Sequence, residues 1–170
     1  KWKEDLGTKG FSQPTTEEWK VFIRQLRDVV DEGFEIDFGG GEALMRADVL
    51  ELVSYAKSLG FKNTIASNAY LIDKNMAKRI VDSGLDSIVL SLDSLKAKIH
   101  DRMRGVKGVT RRVFKAMKYL RRYSKDIHIG ICTIIMEQNL DGILDLAEWA
   151  ELNRGRINSI LFMAAMQPNN

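Results

Sequence analysis

Helical and extended patterns alternate along this chain, and no hairpin signal joins any two extended segments. Thr15 and Glu18 form a capping-box pattern at the start of a helix. Trp19, Phe22, Ile23, Leu26, Val29 and Val30 follow at helical spacing, and Gly33 is the expected stop. Phe34–Phe38 reads as a strand. Val49, Leu52, Val53, Ala56 and Leu59 make the next helical stripe, which ends at Gly60, and Asn63–Ser67 is a second strand. Asp73 caps a helix that stops at Gly84, and Ser87–Leu92 is a third strand. A short helix is expected around Ile99 and a longer one from Thr110. Ile127–Ile135 is a fourth strand, Asn139 or Asp141 caps the last helix, and Ile157–Met166 is a fifth strand. Strands begin roughly 24 to 40 residues apart, the length of a βα unit. Such a chain must pair its strands in parallel through right-handed crossovers. Doubly wound sheets and (βα) barrels both satisfy this, and both place their chemistry at the carboxyl ends of the strands.

Composition narrows the setting. The 170 residues make about one domain. With 26 basic and 23 acidic residues, the net charge of +3 makes no case for nucleic acid. Apolar runs are short and interrupted, so no membrane helix is expected, and Lys1–Asp5 lacks the apolar core of a signal peptide. The expected setting is cytoplasmic. Cys132 is the only cysteine, so neither a disulfide framework nor a cysteine-based metal site can be assembled from this chain.

Polar residues gather where the strands end: Gly39-Gly40-Gly41-Glu42, then Ser67-Asn68, then Ser91 with Asp93, then Thr133. Glycines let a ligand approach the backbone closely and free the chain for positive φ. Exposed carbonyls and the Glu42 carboxylate suit an ammonium group. Each feature also has a plainer reading. The glycines can be a tight turn, Asn68 a turn residue, and Asp93 or Ser94 a helix cap. The glycine run is neither a phosphate loop nor a dinucleotide fingerprint, because the required spacing and the Gly-Lys-Ser/Thr are absent.

Taken in order, these segments resemble radical S-adenosylmethionine enzymes. Phe38-Gly39-Gly40-Gly41-Glu42-Ala43-Leu44 resembles the family's Gly-Gly-Glu segment, and Ser67-Asn68-Ala69 its Thr-Asn-Gly. Ser91-Leu92-Asp93-Ser94, followed by His100-Asp101-Arg102-Met103-Arg104-Gly105, is similar to its Ser-Leu-Asp-Gly and His-Asp-x-x-Arg-Gly. The likeness runs from about Gly10 to Pro168. It implies an α/β fold, a partial (βα)₆ TIM-type barrel of parallel strands whose first strand is missing from this chain. Residues 1–170 would then be one core domain truncated at both ends. It implies S-adenosylmethionine and a [4Fe–4S] cluster as cofactors, with the cofactor cleaved to a 5′-deoxyadenosyl radical that abstracts hydrogen from a substrate. By the resemblance, Gly40, Gly41 and Glu42 hold the methionine amino group, Asn68 lies near the ribose, and Ser91, Asp93 and Arg104 face the ribose or carboxylate. Arg104 is favoured for the carboxylate because its fork suits bidentate pairing. Ile134 and Phe162 are assigned to adenine packing. Two departures are mild: Ala43 stands where the family has Pro, and Ala69 where it has Gly. The third is large, since no C-x-x-x-C-x-x-C motif is present, and its cysteines are expected upstream of Lys1 in a longer parent. The 170-residue chain alone is expected to be inactive. The alternative is a non-catalytic (βα) module that keeps the cofactor pocket and has lost the cluster.

Other features are weighed separately. Arg111, Lys115, Lys118, Arg122 and Lys125 form a basic stripe on one helix. The plain reading is a solvated outer face, and the functional reading is docking of an acidic electron donor such as flavodoxin. Cys132 reads as a small core residue, and His128 as a residue near the start of its strand. His100 reads as a contact of the Asp93–Arg104 loop and a candidate acid or base, and Trp2 and Phe11 as apolar cover for the cluster region. The substrate, a small molecule or a peptide, is not encoded in these motifs.

Overall fold

The computed structural model describes residues 13–164, so Trp2, Phe11 and the end of the fifth strand lie outside it. Five strands, β1 (Glu35–Phe38), β2 (Lys62–Ser67), β3 (Ser87–Ser91), β4 (His128–Ile135) and β5 (Ser159–Ala164), form one sheet. They pair in sequence order, and every pairing is parallel. A doubly wound sheet reverses its strand order at a switch point. This sheet does not reverse, so its winding is that of a barrel wall.

The strands alternate in burial as a one-sided wall requires. Ile65, Ile88, Leu90, Ile129 and Ile131 are buried against the helices, while Ala66, Val89, Ser91, Cys132 and Ile134 occupy the opposite, open face. Helices α3 (Lys74–Asp82), α5 (Val109–Tyr123) and α6 (Ile143–Leu152) supply Ala77, Ile80, Val113, Ala116, Leu120 and Leu146 to that core. A second cluster joins Ile23 of α1 (Thr16–Arg27) to Leu52 and Ala56 of α2 (Val49–Ser58), and to Phe61. Among the described residues β1 pairs only with β2. No helix of the described residues is long and apolar enough to cross a membrane.

Local signals explain most boundaries. Thr15 Oγ1 accepts the Glu18 N–H at 3.3 Å and Glu18 Oε2 accepts the Thr15 N–H at 2.7 Å, which completes the capping box. Asp73 Oδ1 accepts the Met76 N–H at 2.8 Å. Gly60 and Gly84 follow their helices in the left-handed region, at φ +86° and +76°. Three boundaries differ from expectation. Helix α1 ends at Arg27, well before Gly33, and Val29 is exposed. The cause is local: Asp28-Val29-Val30-Asp31 combines β-branched residues with acids at the negative end of the helix dipole. Helix α6 is preceded by a 3-10 helix, Glu137–Gly142, and neither Asn139 nor Asp141 caps it. Helix α5 begins at Val109, not Thr110, and its cap comes from another element. Helix α4 (Ala97–Arg104) supplies Asp101, whose Oδ1 accepts the Thr110 N–H at 2.9 Å and the Thr110 hydroxyl at 2.6 Å, while Oδ2 accepts the Gly108 N–H.

Candidate functional site

A cleft of about 740 Å³ opens at the carboxyl ends of β1, β2 and β3. Six residues expected from sequence meet on its wall: Gly40, Gly41, Glu42, Asn68, Ser91 and Arg104. They arrive from four segments of the same winding: Gly40-Gly41-Glu42 after β1, Asn68 after β2, Ser91 at the end of β3, and Arg104. Gly40 stands at φ +124°, a conformation that favours glycine, and a Cβ placed on Gly40 or Gly41 would meet only open space. The backbone there is therefore bare toward the cleft.

Glu42 is built into the wall. Its Oε1 accepts the Ser67 hydroxyl and its Oε2 accepts the Asn68 N–H, both at 2.8 Å. A carboxylate offers roughly four lone-pair positions, so capacity remains for a donor in the cleft. Ser67 Oγ accepts the Ala69 N–H at 3.0 Å, and Asn68 Oδ1 accepts the Tyr70 N–H at 2.8 Å. Asn68 thus spends its carbonyl oxygen on its own turn, and its Nδ2 makes no bond to another described residue. Ala69 sits at φ +62°, which accounts for the glycine that the resemblance puts at this place. Arg112 stacks on the Tyr70 ring at 4.2 Å and donates to the Tyr70 carbonyl at 2.8 Å, fixing that side of the cleft.

Arg104 is the cation of the site. Its Nε and Nη2 donate to Asp93 Oδ2 and Oδ1 at 2.6 and 2.9 Å. Asp93 itself is 2% exposed and does not line the cleft. Burial pushes its carboxyl up, and its contacts with the His100 ring, with the Ile134 N–H, which donates to Oδ1 at 3.0 Å, and with the Arg104 guanidinium outweigh burial, so the net direction is down. The Asp93 N–H lies 3.0 Å from His100 Nδ1. A backbone N–H can only donate, so Nδ1 accepts and the ring proton sits on Nε2, which is buried without a partner. His100 is completely buried and does not line the cleft, which removes it as an acid or base there.

The remaining assignments fall elsewhere. Ile134 is half-buried on the open face, beyond the cleft. Phe162 is turned the wrong way: strand alternation sends it to the helix side, where it packs on the main core. Leu161 and Met163 of β5 are the residues that share the open face with Ile134, in register with Cys132 and Ile134. Cys132 is half-buried on that face, not in the core, with its Sγ 3.5 Å from Met163 Sδ, and burial pushes its thiol up. His128 lies at the amino end of β4, 2.8 Å from Ser159 Oγ, far along the strand from the cleft. Sequence reading missed Met45, Tyr70, Leu71, Val106 and Val109 as cleft residues. The available signal was adjacency: Tyr70 and Leu71 directly follow Asn68-Ala69, and Val106 follows Arg104-Gly105.

The profile described as the radical SAM superfamily matches residues 6–150. Fe-coproporphyrin III synthase of Methanosarcina barkeri (strain Fusaro / DSM 804) is 33% identical over 143 residues, covering 82% of this chain and 35% of that protein. PqqA peptide cyclase of Bradyrhizobium diazoefficiens is 25% identical over 134 residues, 79% of this chain and 34% of that protein. The chain spans about a third of the length of these curated relatives. The structure of Streptococcus suis SuiB bound to S-adenosylmethionine is similar in fold, with a TM-score of 0.79 at 22% identity over 96% of this chain and 37% of that one.

Proposed function

The chain belongs to the radical SAM superfamily, and from that premise we propose that its cleft holds the methionyl end and ribose of S-adenosylmethionine. One observation carries the reading: Gly40, Gly41, Glu42, Asn68, Ser91 and Arg104, drawn from separate motifs, line one cleft. Its volume of about 740 Å³ falls within the range of roughly 300–1,000 Å³ usual for cofactor sites. The donor set is complementary too. Glu42 and the bare glycine carbonyls suit an ammonium, Arg104 suits a carboxylate, and Asn68 Nδ2 with the Ser91 hydroxyl suits ribose oxygens.

S-adenosylmethionine and a [4Fe–4S] cluster are the family's cofactors, and together they supply one-electron cleavage to methionine and a 5′-deoxyadenosyl radical that takes hydrogen from a substrate. This chain's residues fit the first and not the second. Cys132 is its single cysteine, it lies on the sheet wall outside the cleft, and burial keeps its thiol protonated. The cluster's thiolates are therefore assigned to cysteines outside this chain. What the chain's own residues do is bind and orient: Glu42 anchors the ammonium and Arg104 the carboxylate of the methionyl end, and Gly40 admits the backbone approach.

The named relatives divide between a porphyrin and a peptide. The shared third of their length thus accounts for the cofactor, and the substrate, a small molecule or a peptide, is chosen by other residues. The electron donor in this reading is an acidic protein of the flavodoxin kind. Arg111, Lys115, Lys118 and Arg122 are exposed on α5 and Lys125 just past its end, and none enters an ion pair with a described residue. Reversing Lys115 and Lys118 to Glu should weaken reduction by such a donor at low salt and leave chemical reduction unchanged.

The test is calorimetric titration of S-adenosylmethionine into the full-length, anaerobically prepared protein, followed by product analysis under reduction. Binding weakened about tenfold by Glu42→Gln, with 5′-deoxyadenosine and methionine formed by the wild type, is the expected result. Binding without cleavage would instead favour the non-catalytic module. Absence of binding would remove the cofactor reading altogether.

A further inference from the structure

Asp93 sits at the crossing of four elements. Its carboxylate receives three donors: Arg104 Nε, Arg104 Nη2 and the Ile134 N–H. Its backbone is held as firmly, the N–H by His100 Nδ1 at 3.0 Å and the carbonyl by Asn139 Nδ2 at 2.7 Å. Asn139, 1% exposed, also donates to the Ile134 carbonyl at 2.9 Å and accepts the Met136 N–H at 2.8 Å. The neighbouring Leu92 carbonyl accepts the Thr133 hydroxyl at 2.7 Å. The end of β3, the end of β4, α4 and the following 3-10 turn are thereby locked to one another around a carboxylate that never reaches the cleft.

Arg104 closes α4, and Gly105 follows it in the left-handed region at φ +67°. An arginine at such a helix end has many rotamers to lose. Asp93 fixes the plane of the guanidinium by taking two of its nitrogens in parallel, and Nη1, free of any described partner, is left for the cleft that Arg104 lines. A cation held in one orientation binds a planar anion without the cost of ordering it first.

We propose that Asp93 is a positioning residue that makes the cleft selective for a ligand bearing a carboxylate, by holding Arg104 in a single orientation. This rests on the cofactor reading above and adds to it the residue that sets the grip on one end of the ligand. The proposal has a sign that simple electrostatics lacks. Asp93 is an anion beside the anion-binding cation, so if it acted only through its charge, neutralising it would tighten binding of a carboxylate. As a positioning residue, it loosens binding when neutralised.

The experiment compares S-adenosylmethionine with decarboxylated S-adenosylmethionine, which keeps the sulfonium and the ammonium and lacks the carboxylate. Both are titrated into the full-length wild type, Asp93→Asn, Arg104→Gln, the double variant and Arg104→Lys. Asp93→Asn and Arg104→Lys are each expected to lose about tenfold or more in affinity for S-adenosylmethionine, and less than about twofold for the decarboxylated ligand. The double variant should bind no more weakly than Arg104→Gln alone, because Asp93 acts through Arg104. Parallel losses for both ligands, or tighter binding of S-adenosylmethionine by Asp93→Asn, overturn the assignment. If Asp93→Asn does not fold, Arg104→Lys decides: its ammonium cannot take both carboxylate oxygens, and wild-type affinity in that variant overturns the assignment. A wild type that binds neither ligand overturns the cofactor reading, and this assignment with it.

Discussion

Three carboxylates, Asp48, Asp93 and Asp101, are held below the usual carboxylate range by partners that favour the charged form. Arg46 leads for Asp48, and the Thr110 hydroxyl and N–H lead for Asp101. For Asp93, burial acts the other way and is outweighed by the contacts with His100, the Ile134 N–H and Arg104. A group whose native value is depressed stabilises the fold fully above its unfolded value, near 4 for Asp, and that stability is lost as pH falls through the native value. Urea midpoints should therefore be flat from about pH 7 to 5 and fall steeply below about 4. Asp101→Asn should flatten that acid limb, and an unchanged limb in this variant would place its protons elsewhere. Gly40 is the other residue whose identity is dictated by its place. At φ +124° even alanine is strained, so Gly40→Ala should cost about 1–2 kcal/mol in chemical denaturation. Its Cβ would enter open space, and any further loss of cofactor affinity would report a blocked backbone approach.

At the scale of elements, α5 depends on a carboxylate from its neighbour. Asp101 satisfies the N–H groups of Gly108 and Thr110, and its charge lies at the positive end of the helix dipole. Asp101→Ala should lower stability by about 1–2 kcal/mol, several degrees in thermal unfolding, and leave cofactor affinity within about twofold. This cap also marks where sequence reading stops. The caps at Thr15 and Asp73 were legible because cap and helix are adjacent in the chain. The cap of α5 reaches across from another helix, and the sequence placed the helix start at Thr110 because nothing local shows that Asp101 holds the Gly108 and Thr110 N–H groups. Strand positions read well from their apolar runs, but facing did not in β5. In Ser159–Ala164 both parities carry large apolar residues, Ile160 and Phe162 on one side and Leu161 and Met163 on the other, so pattern alone could not orient Phe162. The polar strand ends were legible as an ordered set, and six of those residues share the cleft. Asp93 was read as a ligand contact because sequence cannot separate a residue facing a site from one standing behind it.

For the molecule as a whole, β1 is a sheet edge among the described residues, with an apolar groove beside it. Trp19, Phe22, Ile36 and Phe38 line about 380 Å³ of space next to the glycine run, and Phe22 is half exposed. Apolar surface at an unpaired edge invites association. The 170-residue chain expressed on its own should self-associate in light scattering, and Phe22→Lys should shift it toward the monomer. A monomeric wild-type chain would overturn this reading of the edge. The sequential winding has one more consequence. The cleft's residues all come from the stretch between Gly40 and Val109, and β4 and β5 line none of it. Their open face, with Ile134, Leu161 and Met163, belongs to the same wall and lies outside the cleft. In a library of variants, replacements on that face should disturb S-adenosylmethionine affinity less than replacements between Gly40 and Val109 do. The winding thus gathers the cleft's residues into one continuous stretch of the sequence.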